Sequence, residues 1–356
     1  MSRLSFLMLC VLASVAVRAE PYLAVSQGLK CGACHVNPTG GGMRNTFGDV
    51  WSQTVLPAKR IDTGEPWTGE LSRFIAIGGN LRETASVVDV PHQPTTSSFD
   101  TDELRIYLEV RAIPDRLSLY VDQKFAPGGS ANQEAYGRLW FDNNRFYVKA
   151  GQMYLPYGLR LQDDTAFIRQ VPGINFATPD RGVEVGLELA TWTAQFAVSN
   201  GTAGGPEVDS GKQYSLRAEH VSSVWRVGAS FNYNDADAGA RQMQNVFAGV
   251  RTGPVSWLAE ADYILDSSFA PRRKQAVGLI EADWAFLKGN NLKVTAEYFD
   301  PDRDVSEDQQ TRYSLVWEYT PLQFVQFRLG VRNYDGIPQN DLQNRRMFFA
   351  QLNGYF

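Results

Sequence analysis

The 356-residue chain is poor in metal-binding and cross-linking side chains, with three cysteines and three histidines. It also lacks any tract of clustered lysine and arginine. Beyond its first residues it has no apolar run long enough for a membrane helix. Each shortage closes a class of protein. Cys10 falls in the apolar leader, so only Cys31 and Cys34 remain, too few for a disulfide scaffold. Cys31, Cys34 and His35 supply three zinc ligands at most, and no fourth Cys or His lies nearby. A formal charge of −5 without a basic patch excludes nucleic acid as a partner.

The leader itself reads as a secretory signal over residues 1–19. Arg3 is its charged start, Leu4 to Val17 its short apolar core, and Val17-Arg18-Ala19 its small-residue cleavage site. The mature chain is expected to begin at Glu20. Losing Arg3 and Arg18, with no acid, takes the charge from −5 to −7.

What is present next is Cys31-Gly32-Ala33-Cys34-His35. Cys-x-x-Cys-His is the attachment pattern of c-type haem. Two thiols add across the porphyrin vinyl groups, and the adjacent imidazole reaches the iron as proximal ligand. One covalent haem c is therefore expected on Cys31, Cys34 and His35. Export agrees with this, because such haem is attached outside the cytoplasm. For the distal position Met43 comes first, being the only methionine of the segment. No protein ligand, Met153 and His220 follow in that order. The segment, residues 20–68, is below the size at which an apolar core usually suffices. Gly40-Gly41-Gly42 suits close approach to a flat ligand.

From Leu71 to Phe356 the pattern has period two. Trp225, Val227, Ala229, Phe231 and Tyr233 share one face, and Arg226, Gly228, Ser230, Asn232 and Asn234 the other. Short turns near residues 114, 143, 191, 222, 253, 289 and 320 alternate with long polar connections. The latter fall near 83–102, 127–133, 155–181, 200–211, 235–243, 266–273, 300–311 and 334–345. That layout, with a final strand ending on Phe356, predicts an all-β fold. Residues 69–356 are expected to form a transmembrane antiparallel outer-membrane β-barrel of about 16 strands, preceded by the small monohaem segment. Strand phase turns Arg105, Arg138, Lys149, Arg217, Arg226, Arg251, Lys293, Arg312 and Arg328 inward. It does the same for Glu109, Asp122, Asp142, Glu184, Glu260, Asp262, Glu281, Asp283, Glu297 and Glu318. The signs balance, so the lumen is not that of an anion channel.

Two resemblances add to this. Gly151 to Gly158 and Thr178 to Gly186 are similar to the phosphate-selective porin O/P family, where they flank a loop associated with the pore. A haem c motif behind a signal, followed by one barrel in the same chain, resembles the fused monohaem cytochrome–porin family. Its local match runs from Pro21-Tyr-Leu-Ala-Val-Ser-Gln27 through His35 to Phe47-Gly48. That family includes outer-membrane iron oxidases, whose aromatic-Ala-Arg-Gln element lacks its arginine here.

The resemblance implies an outer-membrane electron-transfer protein. It would join an extracellular electron donor or acceptor, iron among the candidates as for an oxidase or reductase, to periplasmic c-type cytochromes. Its other surroundings would be outer-membrane lipids. The alternative is a diffusion porin carrying a periplasmic cytochrome c segment. A third reading is a haem enzyme or sensor with an open iron site.

Overall fold

The computed structural model describes residues 20–62, 64–174, 178–207 and 209–356. The signal reading of residues 1–19 lies outside the described residues. Seventeen strands occur among them, from a short β1 (Glu70–Ser72) through β2 (Ile75–Asp89) to β17 (Arg346–Tyr355). Strands β2 to β17 pair antiparallel, each with its sequence neighbours, into a closed 16-strand barrel. Closure is made by the last strand. Tyr355 opposes Asn80, Gly79 N donates to Phe356 O at 3.2 Å, and Phe356 N donates to Gly79 O at 3.4 Å. A Cβ on Gly79 would stand 2.5 Å from the Phe356 ring, so only glycine admits the terminal aromatic there.

Alternation builds the wall. In β12 (Val255–Asp266), Leu258, Glu260, Asp262 and Ile264 are buried, and Trp257, Ala259 and Ala261 are exposed. Exposed apolar side chains such as Val246, Ile280 and Leu329 form the band that lipid covers. At one end of this band sit Trp192, Trp225, Trp257 and Trp284, all partly exposed. His220 packs between Trp192 and Trp225, with ring centroids at 4.8 and 5.0 Å, facing outward as its phase requires. Amphipathic rings at that level are the girdle of an outer-membrane barrel.

Six of the seven expected short turns join strands as placed, as between β9 (Gln213–Val221) and β10 (Trp225–Asn234), and the seventh falls at Gln323-Phe324, just past the expected Thr320-Pro321. They share one rim, which for such barrels is the periplasmic one. Cysteines introduced in the 301–309 loop should therefore label on intact cells, and one at Ser222 should not. The reverse pattern would invert the barrel.

Two expectations are corrected. Residues 83–102 are not a loop. β2 and β3 (Thr96–Ile113) run through them, leaving only 90–95 as connection. Polar side chains bond across the pair there, Thr101 Oγ1 to Glu83 at 2.9 Å and Ser86 to Ser98 at 3.1 Å, so the hairpin needs no apolar face. Asp142 does not face the lumen. It sits in a turn with φ 46°, 3.7 Å from Arg145 in an exposed ion pair. Arg251 is also exposed at the rim, although it still donates to Ser26 O at 2.7 Å.

The lumen is filled by two segments. The first comprises α1 (Pro21–Gln27), a turn of 3-10 helix over Cys31–Ala33, and α2 (Thr46–Thr54). Wall side chains grip it. Glu20 accepts from Arg328 at 2.6 Å and pairs with Lys293 at 3.1 Å. Tyr22 donates to Glu318 at 2.7 Å, and Tyr355 donates to Ser52 O at 2.7 Å. Tyr22 and Val25 have no core of their own segment; they pack with Leu159, Phe247, Leu258 and Leu279. A stretch this short cannot bury enough surface alone, and the barrel supplies the other half.

The second is the connection from β6 (Phe146–Met153) to β7 (Asp180–Glu188), which carries α3 (Phe167–Gln170) and folds inward. Gly158 N donates to Ser230 Oγ at 3.0 Å and Leu159 N to Glu260 at 2.7 Å. Asp163 pairs with Arg312 at 2.8 Å and Arg332 at 3.0 Å. Burial would raise its carboxyl, but the two guanidinium groups outweigh burial and hold it well below the usual range.

Candidate functional site

Cys31, Cys34 and His35 border one cavity inside the barrel. Its walls are mainly apolar: Leu23, Ala24 and Leu29 from α1 and its exit, Trp51 and Leu56 from α2 and beyond, and Leu159 from the inward loop. The local backbone is arranged around the two cysteines. Gly40, Gly41 and Gly42 all have positive φ, at 88°, 72° and 65°, which lets the chain turn back under Cys31. A Cβ on Gly48 would meet Cys34 O at 2.2 Å, so α2 rests directly on the motif. Asn45 caps α2 by accepting from Gly48 N at 3.0 Å and donates to Ala33 O at 3.0 Å, tying the helix start to the same turn.

The chemistry of the three residues fits a covalently held haem. Cys31 and Cys34 are free thiols. Burial, and then Cys31 nearby, push the Cys34 thiol up to about 11, so it stays protonated at neutral pH. Burial, and then the Arg44 guanidinium, lower the His35 imidazole to about 3. It is therefore neutral, the state that binds a metal. His35 Nδ1 is buried without a hydrogen-bond partner. An orphaned ring nitrogen, two free thiols and a mainly apolar cavity are consistent with that group.

Met43 lies elsewhere. His35 and Arg44 oppose each other across an antiparallel bridge, and Val36 N donates to Met43 O at 3.0 Å. Side chains alternate on such a pair. His35 and Arg44 face the cavity, while Val36 and Met43 face the wall among Ala76, Tyr107, Tyr120, Tyr136 and Met153. Met153, a further distal candidate, lies beside Met43 in that wall and not on the cavity. His92 is exposed in the outer hairpin, 3.3 Å from Asp341, and His220 is in the lipid-facing girdle. Among the described residues, His35 is the sole imidazole on the cavity, and no methionine lines it.

The cavity lies toward the short-turn rim. Arg226, second residue of β10, donates to Cys31 Sγ at 3.5 Å, and Gly28 abuts Ser223 in the β9–β10 turn. A wide vestibule opens there, and His35 borders both spaces. Toward the other rim the inward loop roofs the cavity with Leu159 and Arg160. Glu260, which holds that roof, lies six residues from the outer end of β12. At ~3.3 Å per residue and a tilt near ~40°, the roof lies roughly 15 Å below that end.

No family model matches the chain, and no curated protein matches it. Solved structures match its barrel. A loop-deletion mutant of OmpT from Vibrio cholerae is similar over 79% of this chain and 99% of its own, with a TM-score of 0.62 and 13% identity. OprB from Pseudomonas putida gives 80% and 94%, 0.61 and 9%. The anion-selective porin from Comamonas acidovorans gives 79% and 99%, 0.57 and 9%. At such identity the likeness is one of fold. The chain has the closed 16-strand barrel fold of outer-membrane porins. The comparisons carry no support for a haem, a cytochrome partner or an iron oxidase, and taken alone they favour the diffusion porin.

Proposed function

We propose that this porin-type barrel passes electrons rather than solutes, by way of a haem c held on Cys31 and Cys34 with His35 as axial ligand. The observation that carries the reading is the Cys-x-x-Cys-His motif bordering a mainly apolar cavity inside a lumen filled by the chain itself. Bound there, a haem would supply a reversible one-electron couple at its iron. The chain's residues supply the rest. Leu23, Leu29, Trp51 and Leu159 exclude water from the cavity. His35 stays neutral and accessible as a ligand. The vestibule beside it opens toward the short-turn rim, where a periplasmic electron carrier such as a small c-type cytochrome would dock. The roof over Leu159 and Arg160 leaves roughly 15 Å to the outer end of the barrel wall, where an extracellular donor or acceptor would exchange electrons. A metal such as iron is the external couple implied by the cytochrome–porin resemblance.

The second reading, a diffusion porin with an attached cytochrome segment, is the one favoured by the likeness to known porins. Purified protein in liposomes separates the two. With a redox dye sealed inside and a soluble iron couple outside, the first reading expects dye turnover and negligible ion current. Open-channel conductance without dye turnover establishes the second.

The position of Met43 makes its own prediction. Met43→Ala should leave the haem attached and its absorption spectrum unchanged. Truncation of this buried side chain should cost about 2–5 kcal/mol of local stability. A shifted spectrum would return Met43 to the iron.

A further inference from the structure

Arg44 is the unexplained charge of the cavity. It is 7% exposed, lines the cavity, and makes no ion pair or hydrogen bond among the described residues. Its guanidinium carbon lies 4.6 Å from the centroid of the Tyr355 ring, its one specific contact. The other two arginines of the cavity differ: Arg217 pairs with Glu219 at 3.2 Å, and Arg160 donates to Gly40 O at 2.8 Å. Asp49 on α2, an acid within electrostatic reach of Arg44, forms no ion pair with it. Burial pushes that carboxyl up to about 6, against the pull of Arg44. The Arg44 guanidinium so faces the cavity without an anion, and a mostly buried charge gains when an anion meets it there.

We propose that Arg44 is the anion anchor of this cavity and that it receives a propionate carboxylate of the haem. The inference rests on the haem reading above. Its geometry comes from the bridge with His35, which turns both side chains to the cavity from neighbouring strands of one turn. The proximal ligand and the anchor are thus set by the same backbone pairing. Arginine suits the role because its planar fork meets a carboxylate with two parallel hydrogen bonds. Tyr355, in the closing strand, holds the fork from behind. A cation so placed would favour the reduced haem, whose net charge is one unit more negative. Arg44 is therefore a positioning residue.

The test compares wild type, Arg44→Gln and Arg44→Lys as full-length protein in detergent. Mass spectrometry reports haem attachment, resonance Raman the propionate bending band, and redox titration the midpoint potential. Arg44→Gln should keep its haem, shift the propionate band and lower the potential. Arg44→Lys, which restores the charge without the fork, should recover most of the potential but not the band. Attached haem with potential and band unchanged in Arg44→Gln overturns the anchor while leaving the haem reading intact. Wild-type protein without haem overturns both. If Arg44→Gln carries no haem, identical bands in wild type and Arg44→Lys overturn the anchor.

Discussion

Replacing Cys31 and Cys34 together with alanine is expected to remove all covalent haem while leaving an inserted barrel. The reason lies in how the two parts share contacts. Neither thiol bonds to the wall except for the contact of Cys31 Sγ with Arg226 at 3.5 Å, and Arg226 keeps Glu219 as a partner without it. The plug remains tied by Glu20, Tyr22 and Ser52, none of which touches a sulfur. The measurement is the mass of the purified mature chain from cells that assemble c-type cytochromes, with the electrophoretic shift of a heat-stable barrel as control. Wild type should carry the added mass of one haem and the double variant none. Dye reduction across liposomes should fall to the background of empty vesicles in the same variant. Wild type without that mass would sink the proposed function, and the protein would stand as a porin with an ornamental motif.

Deletion of residues 21–66 carries the second large effect. It should convert a closed barrel into a conducting one and abolish electron transfer across the membrane. Removing the segment empties the periplasmic half of the lumen, where α1 and α2 now sit. It also leaves Glu318, Lys293 and Arg328 lining water, which tolerates them better than protein does. The inward loop remains, held by Asp163 on Arg312 and by Leu159 N on Glu260. The current should therefore be that of a constricted porin, and a further deletion of residues 158–174 should widen it. Planar-bilayer recordings before and after each deletion check this. Equal conductance in the full chain and the first deletion would mean that the segment does not block the path. The diffusion porin would then be the better description.

Much of this arrangement was legible in the linear chain, for a local reason. A strand that faces lipid on one side and a polar lumen on the other must alternate, and Trp225 to Asn234 does so residue by residue. Short turns reveal themselves by tight-turn residues such as Asn143-Asn144 and Gly253-Pro254, and both of these lie between paired strands. The outer hairpin at 83–102 was misread as loop because both its faces are polar. Periodicity carries no signal there, and only cross-strand bonds such as Thr101 to Glu83 reveal the pairing. Arg44 escaped attention because a lone arginine in a glycine-rich stretch reads as solvated. Its significance lies in lacking an acid, which is a property of its surroundings.

The sequence by itself determined the all-β membrane wall, the balance of charge inside it and the Cys31-Cys34-His35 constellation, because each rests on neighbours within a few residues. Tertiary structure alone decided where that constellation sits and which residues share its cavity. Tyr22 meets Glu318 across 296 positions, Arg160 meets Gly40 across 120, and Tyr355 meets Ser52 across 303. It also turned Met43 to the wall and Arg44 to the cavity, through one antiparallel bridge with His35. Period-two geometry dictates that the two must part. Which of them faces inward is set by the barrel that closes around them, where Tyr120 and Tyr136 offer an apolar wall for the thioether and the cavity leaves room for the guanidinium.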